Sequence, residues 1–286
     1  MVDLWQKRGY NCCIGNNTKA HTMALVNKSL LIASTKNLND DEMRVELDKF
    51  SNTIRNMTQG VINNAWHLLL MGDPGQGKTQ TVVDTLKDSN AKWTGIKGTT
   101  SAIGLYKFFY EHKDHDVVVI DDSDAIYDST EATEILKAAM DTKEQRVVSW
   151  AKQNQNLNSI GIPNQFVFNA RVILITNKDL EIVEGKRPSK AQRLMNPVVD
   201  RTPVVKTGLP NRDWELAHIN LLAERNEIIV FNEYNIPAPV RVEMVKFLFN
   251  HGEHFRSISF RTLGKMCAFY KEDPNTWQDL TLMTVA

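Results

Sequence analysis

Two stretches of this 286-residue sequence hold residue types that can do chemistry, at spacings that chemistry demands. In "LLLMGDPGQGKTQT", residues 68–81, an apolar run enters a loop with glycines at 72, 75 and 77, and the loop closes on Lys78 and Thr79. The pattern G-x-x-x-x-G-K-[ST], set between a buried strand and a helix, suits a polyphosphate. Glycines let successive backbone N–H groups turn inward around phosphate oxygens, and the helix N-terminus adds its partial positive charge. In this reading Lys78 reaches the β and γ phosphates of a nucleoside triphosphate and the Thr79 hydroxyl ligates Mg²⁺. The nucleotide contacts are Gly72, Asp73, Pro74, Gly75, Gln76, Gly77, Lys78 and Thr79, with Gln80 just inside the helix.

The second stretch, "DVVVIDDSD", decides between a binder and a hydrolase. Val117 to Ile120 bury a strand, and Asp121 emerges at its carboxyl end, where ligands bind in open α/β sheets. Asp121 is placed to hold Mg²⁺ through water, and Asp122 to orient an attacking water; Ser123 and Asp124 read as a solvated loop capping a helix. A third strand, "RVILITN", ends in Thr176 and Asn177. An Asn there can hydrogen-bond the γ-phosphate or the lytic water from between the other two strands.

The elements that must position these groups are legible as alternation. From Asn39, an N-cap ahead of an acidic first turn, the spacing of Met43, Leu47, Phe50, Ile54 and Met57 predicts an amphipathic helix. Then come "AWHLLLM" as a strand, a helix from Lys78, "AKWTGI" as a strand, a helix around "SAIGLYKFFYEH", "DVVVI" as a strand, and a helix containing "ATEILKAAM". "RVVSWAK", "QFVFNA" and "RVILIT" follow as strand-like runs. Short apolar strands alternating with helices predict an α/β fold, a parallel sheet covered on both faces. Beyond "VVKTGLPNRDWE" the strand signals stop, and "DWELAHINLLAE", "APVRVEMVKFLFN", "FRTLGKMCAFY" and "NTWQDLTLM" read as helices. The expected organisation is a tail or docking segment over 1–37, an α/β nucleotide-binding domain over 38–210 and an all-helical domain over 211–286.

Composition narrows the function classes only broadly. Lys plus Arg and Asp plus Glu are 34 each, so any nucleic-acid contact must be local rather than a property of the whole surface. Three cysteines, two of them adjacent at 12 and 13, make no disulfide framework, and there is no signal-peptide pattern. No apolar run approaches the roughly 20 residues that span a bilayer. The expectation is a soluble, cytoplasmic protein with no membrane partner.

With these residues in view, the chain from about 40 to 286 resembles an AAA+ ATPase. Gly72 to Thr79, "VVVIDD" and "VILITN" are similar, in that order and with these gaps, to the Walker A, Walker B and sensor 1 elements of that class. The resemblance implies a P-loop core with a helical lid, ATP and Mg²⁺ as ligands, and a homo-oligomer, a hexameric ring by family expectation. "NPVVDRTPVV" is similar to the segment that carries the arginine finger, which implies that Arg201 completes a neighbouring subunit's site, with Arg193 as its competitor. "SISFRTLGKM" is similar to the sensor 2 helix, which implies that Arg261 meets the phosphates of its own subunit. Many AAA+ proteins carry Glu where Asp122 stands; an Asp-Asp pair occurs in superfamily 3 viral helicases, whose motif ending in Asn also resembles "LITN".

Two segments are candidates for gripping a substrate. "RVVSWAKQNQNLNSIGIPNQFVFN" resembles the β-hairpin inserted before sensor 1 in the branch that holds superfamily 3 helicases, MoxR-type chaperones and ClpX-like unfoldases, with Lys152 as a contact. Ile96-Lys97-Gly98, in "TGIKGTTS", resembles a central pore loop of the hydrophobic-X-Gly form, able to hold phosphates or polypeptide. Trp93, Trp150 and Phe168 read as core aromatics rather than base-stacking platforms. The texture of residues 97–142, with "RVVSW" and "FVFNARVILITN", looks like AAA+ ATPases of tailed bacteriophages. The resemblance implies a ring ATPase in phage DNA replication or DNA transactions, of helicase or helicase-loader type. The alternatives are a MoxR or unfoldase-like chaperone with a protein partner, and a nucleotide-gated DNA-binding filament that hydrolyses slowly.

Overall fold

The computed structural model of the chain describes residues 40–150, 157, 161–209 and 211–285. Asn39, Lys152 and the expected tail over 1–37 lie outside them. The chain divides into two compact units; among the described residues the first comprises Asn52–Asp73 and Lys78–Thr207, and the second 40–51, Pro74–Gly77 and 208–285.

The first unit is built on a five-stranded sheet. Its strands are β1 (Leu68–Gly72), β2 (Trp93–Lys97), β3 (Val117–Asp121), β6 (Arg171–Thr176) and β7 (Val204–Thr207). They lie in the order β2-β3-β6-β1-β7, every neighbouring pair parallel. Leu68 to Met71, Val117 to Asp121 and Val172 to Thr176 are all buried, the continuous apolar run expected of strands covered on both faces. The strand β7 has no counterpart in the expected elements, because "PVV" is too short to show a period.

Helices α2 (Lys78–Lys87), α3 (Ala102–Glu111), α4 (Thr130–Ala139) and α5 (Lys190–Val199) connect or flank these strands. Leu105, Phe109, Leu136 and Met195 join sheet residues Val118, Ile120 and Leu174 in one hydrophobic cluster. The starts of α3, α4 and α5 are marked by hydroxyl caps: Ser101 Oγ accepts from the Gly104 N–H, Ser129 Oγ from Ala132, and Ser189 forms a capping box with Gln192. Between α4 and β6 runs an antiparallel pair, β4 (Val147–Ser149) with β5 (Gln165–Val167). Val148 and Phe166 of this pair face the core and Val147 and Val167 face outward. Arg146, 5 % exposed, holds the base of the pair by donating to the carbonyls of Phe168, Asn169 and Ala170. Phe168 is buried and Trp150 packs on the same cluster, both as core aromatics.

The second unit is helical. Its elements are α6 (Arg212–Glu224), α7 (Ile229–Glu233), α8 (Ala238–His251), α9 (Phe260–Glu272) and α10 (Trp277–Val285), around a core that includes Ile219, Phe231, Leu248, Leu263 and Trp277. The helix α1 (Asp40–Ile62) contributes its first half to this unit. Met43 and Leu47 of its apolar stripe pack on Ala217 and Leu221, and Asp48 forms a two-pronged ion pair with Arg225.

Candidate nucleotide-binding site

The order of the sheet decides what meets what. β6 lies between β1 and β3, so the residue after β6 stands between the loop that follows β1 and the acidic end of β3. Asn177 is that residue. Its side-chain carbonyl accepts from the Lys78 ammonium at 3.1 Å, and its amide donates to Asp122 Oδ1 at 3.0 Å. Lys78, Asn177 and Asp122 thus form one hydrogen-bonded chain across three strand ends.

The loop after β1 takes its shape from glycine. Gly72, Gly75 and Gly77 all have positive φ, and at Gly72 a Cβ would stand 1.7 Å from the Thr207 carbonyl oxygen. β7 therefore approaches β1 as closely as it does only because residue 72 has no side chain. Lys78 is 5 % exposed; its ammonium takes the carbonyls of Gly72 at 2.7 Å and Asp73 at 2.6 Å and arches back under the loop. Ser259 caps α9, and the Phe260 N–H donates to the Gly75 carbonyl at 3.3 Å within the second unit.

On β3, Asp121 is 1 % exposed and Asp122 turns at φ 51, a left-handed backbone that Asp tolerates better than most residues. The turn swings Asp122 off the strand line toward Asn177, while its N–H donates to the Ile175 carbonyl. Asp121 Oδ1 accepts from the Thr79 hydroxyl at 3.0 Å, and Oδ2 has the Lys97 ammonium at 2.9 Å. The ammonium approaches Oδ2 off the line of a hydrogen bond, so this oxygen has a charge contact and no hydrogen-bond donor. A hydroxyl next to a buried carboxylate is a hard-oxygen donor set that fits Mg²⁺, with phosphate and water supplying the other ligands.

Two expectations are corrected here. Ile96 and Lys97 end strand β2 rather than standing on a free pore loop. Lys97 is in register with Asp121, the Gly98 N–H donates to the Asp121 carbonyl, and the Ser123 hydroxyl donates to the Gly98 carbonyl. Ser123 is buried, so it is no solvated loop residue, and Asp124 accepts from the Thr176 hydroxyl at 2.9 Å. Gln80 sends its side-chain amide along α2 to Asp84 at 2.7 Å.

The arginines stand apart from this network. Arg201, just beyond α5, is exposed and has a long ion pair with Asp141 at 3.8 Å. Arg193 is exposed and donates to the Pro188 carbonyl. Arg261 is exposed at the second residue of α9 in the second unit. Lys97 is the site residue that sequence reasoning misassigned. Its signal is its place at the carboxyl end of the strand before the acidic one, where a parallel register sets it opposite the aspartate.

A phosphate loop after β1, an acidic end on β3 and an Asn-ended strand between them, followed by a helical unit, settle the architecture. The fold is α/β, a five-stranded parallel sheet flanked by helices, with a helical unit after it. No family model matches the sequence. The chain is 24% identical over 245 residues to an uncharacterized 36.7 kDa protein in the nrdC-mobD intergenic region of Enterobacteria phage T4, covering 84% of this chain and 74% of that protein. Among solved structures it is similar to two variants of RuvB from Thermotoga maritima. One has 11% identity and TM-score 0.46 over 83% of this chain and 68% of the other; the second has 12% and 0.45 over 81% and 68%.

Proposed function

We propose that this chain is an AAA+ ATPase that works as a homo-oligomeric ring on DNA during phage replication or related DNA transactions. The observation that carries the ATPase reading is the chain Lys78–Asn177–Asp122, with Thr79 against Asp121 beside it. It links a cation, a polar bridge and a carboxylate through hydrogen bonds, the kinds of group that stabilising a γ-phosphate and orienting a water require.

In this reading Lys78 exchanges its hold on the Gly72 and Asp73 carbonyls for the phosphate oxygens. Asn177 then holds the γ-phosphate through its amide, and Asp122 accepts a hydrogen bond from the water that attacks. Thr79 and Asp121 would hold Mg²⁺, which would supply positive charge to offset that of the phosphates. Arg201 supplies the missing cation to a neighbouring copy, and Arg261 supplies one to its own. The phage relative supports the phage context, and the DNA substrate follows from the class resemblance.

The test is steady-state ATP turnover with and without single-stranded DNA at two salt concentrations. Stimulation that fades with salt supports DNA as the substrate. Turnover indifferent to DNA but raised by an unfolded polypeptide moves the substrate to protein, with the ATPase reading intact.

A further inference from the structure

Three carboxylates follow one another at the end of β3, and each has its own partner. Asp122 accepts from the Asn177 amide, and Asp124 from the Thr176 hydroxyl, both neutral groups anchored to β6. Asp121 is different. It is the most buried of the three, and its Oδ2 faces a full positive charge, the Lys97 ammonium at 2.9 Å, on a side chain that is 53% exposed.

We propose that Lys97 is a displaceable cation on Asp121 that makes metal binding conditional on nucleotide. The inference rests on the nucleotide-binding reading above and adds a regulatory residue to that site.

The backbone around Lys97 is held on both sides. It pairs with Asp121 in the sheet, the Gly98 N–H donates to the Asp121 carbonyl, and Ser123 holds the Gly98 carbonyl. The ammonium is therefore delivered to Oδ2 by register, while its four-carbon stem is free to swing into solvent without moving the strand. Without nucleotide, an incoming divalent ion meets a carboxylate that already has a cation and gains few other ligands. With nucleotide, phosphate oxygens supply ligands and negative charge, the balance tips, and Lys97 yields Oδ2. A metal ion and a lysine compete for one buried oxygen, and the phosphates decide the outcome.

The half-exposed head limits the size of the effect. Screening leaves a contribution of roughly threefold to tenfold in metal affinity.

The experiment measures Mn²⁺ binding by the electron paramagnetic resonance signal of the free ion, on the full chain without nucleotide. The variants are Lys97→Met, Lys97→Gln and Lys97→Arg. The account expects Lys97→Met and Lys97→Gln to bind Mn²⁺ roughly threefold to tenfold tighter than the parent, and Lys97→Arg, which keeps the charge, to stay at the parent value. Parent-like or weaker Mn²⁺ binding by a neutral variant that melts with the parent overturns the proposal. If instead the parent fails to bind ADP with or without metal, the nucleotide reading is what fails, and the Mn²⁺ comparison still reports on Lys97.

Discussion

Asp122 stands at φ 51, and Asn is the other residue that accepts this backbone readily, so Asp122→Asn isolates the carboxylate from the turn that presents it. The variant should bind nucleotide with parent affinity and lose turnover by about 10²-fold, since it removes a base or water-orienting group but no phosphate contact. Asn177→Ala should lower turnover by a similar factor by cutting the chain between Lys78 and Asp122, and should also weaken triphosphate binding through the lost γ-phosphate contact, whereas Lys78→Ala should abolish nucleotide binding. Fluorescent-nucleotide titration beside turnover separates the cases; Asp122→Asn turning over at the parent rate would remove Asp122 from the mechanism. At this scale much was legible. Lys78, Thr79, Asp121 and Asn177 sit in local patterns whose chemistry prescribes their spacing. Lys97 was not legible as the partner of Asp121, because the two meet through sheet register, and register leaves no mark in either segment alone.

Among elements, β1 and its neighbours define the site and also its tolerance. A Cβ at position 72 would meet the Thr207 carbonyl at 1.7 Å, so Gly72→Ala must push β7 away from β1. It should cost about 3 kcal/mol of stability and most nucleotide affinity, measured by denaturant unfolding and nucleotide titration. At the opposite end of the sheet, His67 precedes β1 and its Nδ1 accepts from the Val172 N–H. Burial, with Arg146 and Arg171 adding repulsion, pulls its pKa down to about 3, and burial pulls that of His218 down to about 4. Both rings are neutral in the fold and gain a proton more readily when unfolded. Stability is therefore full above the ordinary histidine pKa and is lost as pH falls below about 6.5, by on the order of 1 kcal/mol per pH unit per ring. Unfolding at pH 7 and pH 5 checks this; His67→Gln should flatten the slope. The strands and helices of the sheet were readable from apolar runs and Gly-rich punctuation. β7 was not, since four residues ending in Lys206 and Thr207 carry no period, and its identity comes from pairing with β1.

For the whole molecule, the sequence showed a change from strand-helix alternation to helices near residue 210, but not that the first half of α1 clusters with the helical unit. An amphipathic stripe declares that a face is buried and is silent on what buries it; here Met43 and Leu47 meet Ala217 and Leu221. Assembly is the claim of this scale. Among the described residues the Arg201 guanidinium has a long, 3.8 Å pairing with Asp141, and a role on a neighbouring copy would draw it away. Arg201→Ala should leave nucleotide binding nearly intact and lower turnover by at least 10³-fold, the usual weight of an arginine finger. Mixing it with Lys78→Ala subunits should restore part of the activity, since each supplies what the other lacks. No recovery on mixing, together with parent-like turnover of Arg201→Ala alone, transfers the role to Arg193. The most direct test of the account is Mg²⁺-dependent ATP turnover of the purified chain across a protein concentration series, beside Lys78→Ala. The account predicts specific activity that climbs with concentration and vanishes in the variant; turnover no greater than that of Lys78→Ala at every concentration would contradict it.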